Sequence, residues 1–313
     1  MDIQYLLFLQ NFRENVTNNV FTPFLENLSL FAVTYLIMIP VFVYWAIDKK
    51  KGLYILVSYY LCNAFNAIVK LTACVYRPWI RDPRIVPAGD AITTATGYSF
   101  PSGHTVTAGP IYGGLAVTAR KKSGLLSFVF VLLFLLTAFS RNYLGVHTPQ
   151  DVLVGTAESI LWLILMARLF AHLSKHPEDE NEFLLASFVV GWIGILYITF
   201  KPYPLTYVDG ALLVDPQKMM NDGYNDLAAM IVFPVARYIE KTWIRFRSTQ
   251  LKGAGLVVSI LALIPLWYMI TYMKAPLDAA LGSHWGHFMN NTILVFYCVC
   301  VVPAFLRISN GKA

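Results

Sequence analysis

Long apolar stretches separated by short polar segments dominate the pattern along this chain. About 20 mostly apolar residues are enough for a helix to cross a membrane, and nine stretches are candidates. They lie at about 28–47, 53–75, 104–119, 124–140, 151–171, 183–200, 226–239, 254–273 and 286–306. The seventh is short and contains Pro234, so it is the least regular. The pattern predicts an all-α, polytopic transmembrane helical bundle.

The first residues differ from the stretches that follow. Residues 1–27 mix Leu and Phe with Asn and scattered charge, which is typical of an amphipathic helix in the membrane interface. We therefore predict an interfacial segment at 1–27, a six-span core at 28–200 and a C-terminal membrane extension at 201–313 with two to three further spans. The role of the extension stays open between lipid gating, a dimer face and a separate ligand site.

Composition and charge also favour a membrane protein. Of 313 residues, 57% are hydrophobic and 13% charged, whereas soluble domains carry about 25% charged residues. Basic clusters near 49–51, 120–122, 237–252 and 307–312 fall on one side if every span crosses once. The positive-inside rule makes that side cytoplasmic, with the N-terminus outside and the C-terminus inside. The basic residues form no aromatic-interleaved patch, so we expect no nucleic-acid partner.

Three short segments near the ends of predicted spans carry charged and polar side chains that are uncommon in such an apolar chain. In the first, Lys70 and Arg77 are seven residues apart, and one continuous helix would place both on the same face. Two such cations can bind phosphate oxygens, Lys as a point charge and Arg as a bidentate fork. Taken alone, the pair also fits long side chains that reach to the membrane interface.

The second segment is Pro101-Ser102-Gly103-His104, which precedes an apolar helix. Ser102 is a candidate N-cap, and Gly103 allows the backbone to approach a ligand closely. The first turn of the helix would present free N–H groups to an anion, and His104 could protonate a leaving oxygen. Taken alone, the same residues fit an ordinary helix cap.

The third segment holds Ser140-Arg141, His147 and Asp151. The spacing of four residues lets the Asp151 carboxylate accept a hydrogen bond from one imidazole nitrogen of His147. The other nitrogen is then free to act as a nucleophile. The two residues also fit a simple capping pair at a helix start.

The three segments map to the same, extracytoplasmic side of the predicted topology. Their pattern, Lys-x6-Arg-Pro, Pro-Ser-Gly-His and Ser-Arg-x5-His-x3-Asp, resembles the type-2 phosphatidic acid phosphatase (PAP2) superfamily over about residues 50–172. That superfamily includes membrane lipid phosphatases, glucose-6-phosphatase and the soluble vanadium haloperoxidases. Every position of the pattern is present in this chain.

The resemblance implies a role for each residue. His147 resembles the nucleophile that forms a phosphohistidine, Asp151 its orienting carboxylate, and His104 the acid that later activates water. The implied phosphate-binding set is Lys70, Arg77, Ser102, Gly103 and Arg141. No metal or other cofactor is implied, because three cations and a helix N-terminus offset the charge on the phosphoryl oxygens.

We therefore expect a metal-independent phosphatase that acts on a lipid phosphate or diphosphate at the extracytoplasmic membrane surface. Polyprenyl diphosphates, phosphatidic acid and phosphatidylglycerophosphate are all compatible substrates. A lipid phosphotransferase that uses the same phosphohistidine is one alternative, and a membrane protein that binds anions or lipids without turnover is another.

His284 and His287 could suggest a metal, but Trp285 beside them favours anchoring at the interface.

Overall fold

Helices form almost all of the regular structure. The structure is a computed structural model that describes residues 2–95, 97–208 and 210–309. Within these ranges the strands are confined to one antiparallel pair, β1 (Tyr207–Val208) and β2 (Ala211–Leu212). The α-helices are α1 Asp2–Asn11, α2 Thr22–Thr34, α3 Met38–Phe42, α4 Lys49–Ala73, α5 Pro78–Arg81, α6 Ala91–Thr94, α7 Gly103–Ala119, α8 Gly124–Tyr143, α9 Pro149–Leu173, α10 Glu180–Phe200, α11 Pro216–Ile239, α12 Gly253–Leu261, α13 Leu263–Tyr272, α14 Lys274–Leu281, α15 Ser283–Phe296 and α16 Val302–Ser309.

Several helices continue into segments with a different helical hydrogen-bond pattern. A 3₁₀ turn, Pro177–Asp179, precedes α10. The π-helical segments are Phe12–Val16, Val43–Ile47, Glu240–Ile244 and Tyr297–Val301.

Six helical stretches of the described residues are long and apolar enough to cross a membrane. They are Lys49–Arg81, Gly124–Tyr143, Pro149–Leu173, Pro177–Phe200, Gly253–Tyr272 and Ser283–Ser309. A helix pair bent by 47°, Thr22–Thr34 with Met38–Ile47, supplies a seventh if it is one span. These stretches confirm the predicted all-α, polytopic fold. The third and seventh predicted spans are also helical, α7 and part of α11, but α7 has only 17 residues and α11 carries several charges.

The expectation that Lys70 and Arg77 share one helix is wrong. Helix α4 ends at Ala73, and Cys74 has a φ of +49°, in the left-handed region that ends a helix. The backbone then runs without regular structure to Arg77, whose extended conformation (ψ 153°) lets Pro78 begin the short helix α5. Arg77 therefore reaches its position from a turn rather than from the face of α4.

The chain forms two compact units. Unit 1 consists of Met1–Leu36, Phe65–Leu163 and Pro202–Met219, and unit 2 of Ile37–Ala64, Ile164–Lys201 and Met220–Ala313. All residues of the three segments singled out in the sequence lie in unit 1. The division into an interfacial segment, a six-span core and an extension stays a prediction.

The interior of unit 1 includes residues of the first helices. Leu25 packs in a cluster with Tyr143, Leu144 and other small or apolar residues. Arg13 is 2% exposed and donates hydrogen bonds to the carbonyl oxygens of Tyr143 (3.0 Å) and Val86 (2.9 Å). These contacts attach the N-terminal helices to the loops that lead into the candidate site.

Unit 2 contains a network of paired charges around one buried carboxylate. The Glu240 carboxylate is fully buried and accepts from Lys49 Nζ at 2.6 Å and from Arg237 Nη1. Glu180 accepts from Arg237 Nε at 2.8 Å and from Lys241 Nζ at 3.2 Å. Each of these five side chains therefore has at least one partner of opposite charge.

Candidate active site

His147 and Asp151 form a buried pair at the start of α9. The imidazole Nδ1 lies 3.2 Å from Asp151 Oδ2, and the two side chains are 1% and 2% exposed. The backbone N–H of Thr148 donates to the same oxygen at 2.8 Å, and the hydroxyl of Thr148 accepts from the Asp151 N–H at 3.4 Å. This reciprocal pair is a capping box. One carboxylate therefore both caps α9 and contacts the His147 ring, and its role in orienting a nucleophile stays a prediction.

Asp151 also connects the start of α9 to the segment before α7. Its Oδ2 accepts from the Ser99 hydroxyl at 2.5 Å, and its carbonyl oxygen accepts from the Ser102 N–H at 3.0 Å. These bonds come from two further points of the chain. The position of the carboxylate is therefore over-determined, as an orienting group requires.

Arg77 contacts the nitrogen of His147 that faces away from Asp151. Its Nη1 lies 2.7 Å from His147 Nε2 and donates to the Val146 carbonyl at 3.0 Å, while its Nε donates to the Gly97 carbonyl at 3.1 Å. An arginine has only donors, so the hydrogen-bond network assigns the imidazole proton to Nδ1 and the lone pair to Nε2. This is the tautomer that a nucleophilic histidine needs.

The surroundings of His147 favour its neutral form. Burial and the nearby Arg77 guanidinium lower the pKa of His147 well below its ordinary value, while the Asp151 carboxylate acts in the opposite direction. Burial disfavours a charged imidazole, and so does a cation within contact distance. Both effects favour the uncharged imidazole.

Arg141 and His104 carry buried nitrogens without a hydrogen-bond partner. Arg141 is 0% exposed and donates from Nη1 to the Ser29 hydroxyl at 2.9 Å, but its Nε and Nη2 have no partner in the described part of the chain. His104 Nε2 is also buried without a hydrogen-bond partner among the described residues. The groups that act electrostatically on the His104 ring include Arg141, His147 and Arg77. Buried donors are almost always satisfied in proteins. Arg141 and His104 also interact electrostatically, so these donors are near each other, and their use in binding an anion stays a prediction.

The start of α7 completes this region. Ser102 caps the helix, accepting from the N–H of Thr105 at 3.5 Å and from its hydroxyl at 3.0 Å, as its N-cap prediction requires. A methyl group built on Gly103 would lie 3.5 Å from Lys70 Nζ. The ammonium therefore lies beside the first turn of α7, where free N–H groups attract anions.

The structure thus brings most of the sequence-predicted residues into direct or near contact. Their catalytic and binding roles stay predictions. Polar neighbours that the sequence pattern did not single out are also present: Ser29, Asn66, Ser99 and Glu158. Glu158 had a recognisable signal, since an acidic residue inside a predicted span is uncommon.

Two comparisons with known proteins give a match. Residues 51–175 match the family model described as the PAP2 superfamily. The phosphatidylglycerophosphatase B of Haemophilus influenzae is 42% identical over 102 aligned positions, which cover 28% of this chain and 41% of that protein. The match therefore spans less than half of the relative's length. No solved structure matches this chain significantly.

Proposed function

We propose that this chain, whose residues 51–175 match the PAP2 family model, is an integral-membrane phosphatase acting on the phosphate or diphosphate headgroup of a lipid. The observation that carries this proposal is a buried histidine, His147, bonded to Asp151 and near the unsatisfied donors of Arg141. The name of the relative, a phosphatidylglycerophosphatase, supports a lipid phosphate as substrate. Membrane-spanning helices suit a substrate whose hydrocarbon tail stays in the bilayer.

Binding would use the two Arg141 nitrogens that have no partner among the described residues, together with Lys70 and Arg77. The Nε and Nη2 groups of Arg141 offer a bidentate contact to two phosphoryl oxygens. Lys70 and the first turn of α7 supply a third contact, and Arg77 a fourth. These groups lie in a region largely closed to water, where they act on the charge of the transition state more strongly than they would in water.

Phosphoryl transfer would begin at His147. Its Nε2 lone pair attacks phosphorus while Nδ1–H stays bonded to Asp151, which stabilises the positive charge that develops on the ring. The bond from phosphorus to the leaving oxygen breaks, and His104, which takes up a proton once the negative phosphate is bound beside it, gives that oxygen its proton. Arg77 Nη1 must first exchange its contact with Nε2 for a phosphoryl oxygen.

Hydrolysis would then regenerate the enzyme. His104, now neutral, accepts a proton from a water molecule, and the water oxygen attacks the phosphorus of the phosphohistidine. The bond between phosphorus and Nε2 breaks, releasing inorganic phosphate and neutral His147. No step requires a metal, so activity should survive a chelator.

We further propose that this reaction takes place at the extracytoplasmic face, with the C-terminus in the cytoplasm, as the basic clusters favour.

The test is phosphate release by the purified protein in detergent, using a panel of lipid phosphates and diphosphates with and without chelator. A radiolabelled substrate quenched in alkali should leave an acid-labile label on the wild type and none on His147→Ala, because phosphohistidine resists alkali but not acid. Release from no lipid would overturn the phosphatase. Loss of activity with chelator would overturn the metal-free mechanism, and an acid-stable label would overturn the phosphohistidine.

A further inference from the structure

A buried carboxylate that the proposed mechanism does not use lies on α9, two helical turns after Asp151. Glu158 is 6% exposed, and the spacing of seven residues places it on the same face of α9 as Asp151. A charged group inside a membrane helix is costly and generally has a partner that explains it.

One partner of Glu158 is an amide on α4. Asn66 Nδ2 donates to Glu158 Oε2 at 2.9 Å, and Asn66 is itself 3% exposed. Asn66 precedes Lys70 by four residues, so their side chains share one face of α4. Helical side chains lean toward the N-terminus of their helix, and the Lys70 side chain therefore extends over the turn that carries Asn66.

The second partner is the ammonium of Lys70, which interacts electrostatically with the Glu158 carboxylate. The same ammonium lies near the start of α7, as its 3.5 Å distance from a methyl built on Gly103 indicates. It also acts electrostatically on His104. Lys70 therefore has a fixed carboxylate and the phosphate-binding end of α7 as neighbours.

We propose that Glu158 is a positioning residue which, together with Asn66, holds the Lys70 ammonium at the start of α7 for contact with a phosphoryl oxygen. This inference rests on the proposed function of the site. Glu158 itself touches no reacting atom. Lysine benefits from such a partner because its ammonium is a point charge on a flexible stem, without the pre-organised fork of arginine.

Two effects of Glu158 on phosphate binding have opposite signs, and this makes the proposal testable. Through its charge alone the carboxylate repels a phosphate, so Glu158→Gln would lower KM. Through placement of Lys70 the same change raises KM, because a neutral amide holds an ammonium less firmly. We expect a higher KM and a kcat/KM lower by about tenfold, the effect of losing one charge-assisted interaction.

The experiment compares steady-state kinetics of the wild type, Glu158→Gln and Glu158→Asp on one lipid. Glu178→Gln is the matched control, since that carboxylate is 67% exposed. Glu158→Asp keeps the charge and should recover part of kcat/KM. In a Lys70→Met background, Glu158→Gln should have almost no further effect, because the interaction is already absent. Melting temperatures in detergent separate this result from loss of the fold.

A KM for Glu158→Gln equal to that of the Glu178→Gln control, or lower, would overturn the proposal. An undiminished effect in the Lys70→Met background would also overturn it, because Glu158 would then act through another group. Binding of inorganic phosphate by calorimetry gives a readout that needs no turnover, and Glu158→Gln should weaken it. A wild type that binds phosphate but hydrolyses no lipid would contradict the proposed function while leaving this inference measurable.

Discussion

Both compact units bury charged side chains, but they balance those charges in different ways. In unit 2, the fully buried Glu240 pairs with Lys49 and Arg237, and Arg237 also pairs with Glu180. In unit 1, Arg141 is buried to the same extent, yet two of its donor nitrogens have no partner in the described part of the chain. Burial of charge alone therefore does not identify a site, and what distinguishes Arg141 is a buried guanidinium with two unsatisfied donors beside the candidate nucleophile.

The difference separates a structural role from a binding role. A closed set of ion pairs gains nothing from a ligand, and its members depend on one another because the removal of one leaves a buried charge uncompensated. An open set of donors gains hydrogen bonds when an anion arrives. Variants of the two sets should therefore affect different measurements, stability for unit 2 and turnover for unit 1.

The largest effect should come from His147→Ala. Removing the nucleophile should lower kcat for phosphate release by about 10⁴-fold or more, as loss of a nucleophile does in other enzymes with covalent catalysis. The melting temperature in detergent should change little, because Asp151 keeps its bonds from Ser99 and Thr148 and Arg77 its bonds to two backbone carbonyls. Activity within tenfold of the wild type would contradict the assignment of His147.

Next in size is the contrast between Arg141→Met and Arg237→Met. Arg141→Met should lower kcat/KM by about 100-fold to 1,000-fold, as removal of a donor to the transition state does, with the fold retained. Arg237→Met should destabilise the protein by about 3 kcal/mol, because it leaves Glu180 and Glu240 short of a partner. Its kcat/KM per folded molecule should stay close to wild type.

Activity assays and unfolding in detergent on both arginine variants check this contrast. If Arg237→Met lost turnover while keeping its stability, the separation of roles between the units would be wrong. Lys50→Gln is a suitable control, since Lys50 is an exposed cation near the network in unit 2.

A smaller effect concerns pH. Because burial and Arg77 lower the pKa of His147, the neutral nucleophile persists to acid pH, and the acid limb of kcat/KM should lie below pH about 6.5. Removing the cation in Arg77→Gln raises that pKa, so less His147 is neutral at a given pH. The acid limb should then move up by about one pH unit. A pH–rate profile of both proteins tests this, and a limb that stays or moves down would contradict it.

The smallest predicted effect belongs to Ser29→Ala. The Ser29 hydroxyl accepts from Arg141 Nη1 at 2.9 Å, so the variant adds a third unsatisfied nitrogen to this guanidinium and lets it rotate. The loss of one such bond is about 1 kcal/mol, or about fivefold in kcat/KM. Thr72→Ala serves as a control, because Thr72 is exposed and its hydroxyl bonds within its own helix. Equal kinetics for the two variants would mean that Ser29 does not hold Arg141.

The long helices could be predicted from the sequence because a long apolar run has few possible structures other than a membrane-spanning helix. The stretch predicted at 124–140 is the helix Gly124–Tyr143, and that at 151–171 is Pro149–Leu173. The link from Lys70 to Arg77 could not be predicted in the same way. A single residue in the left-handed region, Cys74, ends the helix, and neither its chemistry nor its neighbours differ from those of a helix interior.

In the candidate site too, local contacts could be predicted from the sequence and contacts between distant positions could not. The pairing of His147 with Asp151 is local, four residues apart, and follows from helical spacing. The bond from Arg141 to Ser29 joins positions 112 residues apart, and that from Asn66 to Glu158 joins positions 92 apart. No periodicity in the sequence encodes such contacts, because they arise only when separate helices pack together.

The bonds that Asp151 makes to Ser99 and Ser102 have a consequence for how the chain can be altered. They join the beginning of α7 to the beginning of α9, and Arg141 lies near the end of α8. The proposed catalytic groups therefore all lie at one end of these three helices. The turn at 120–123 joins the opposite ends of α7 and α8, and its basic residues are exposed. Such a turn is a permissive point for an inserted reporter domain or affinity tag.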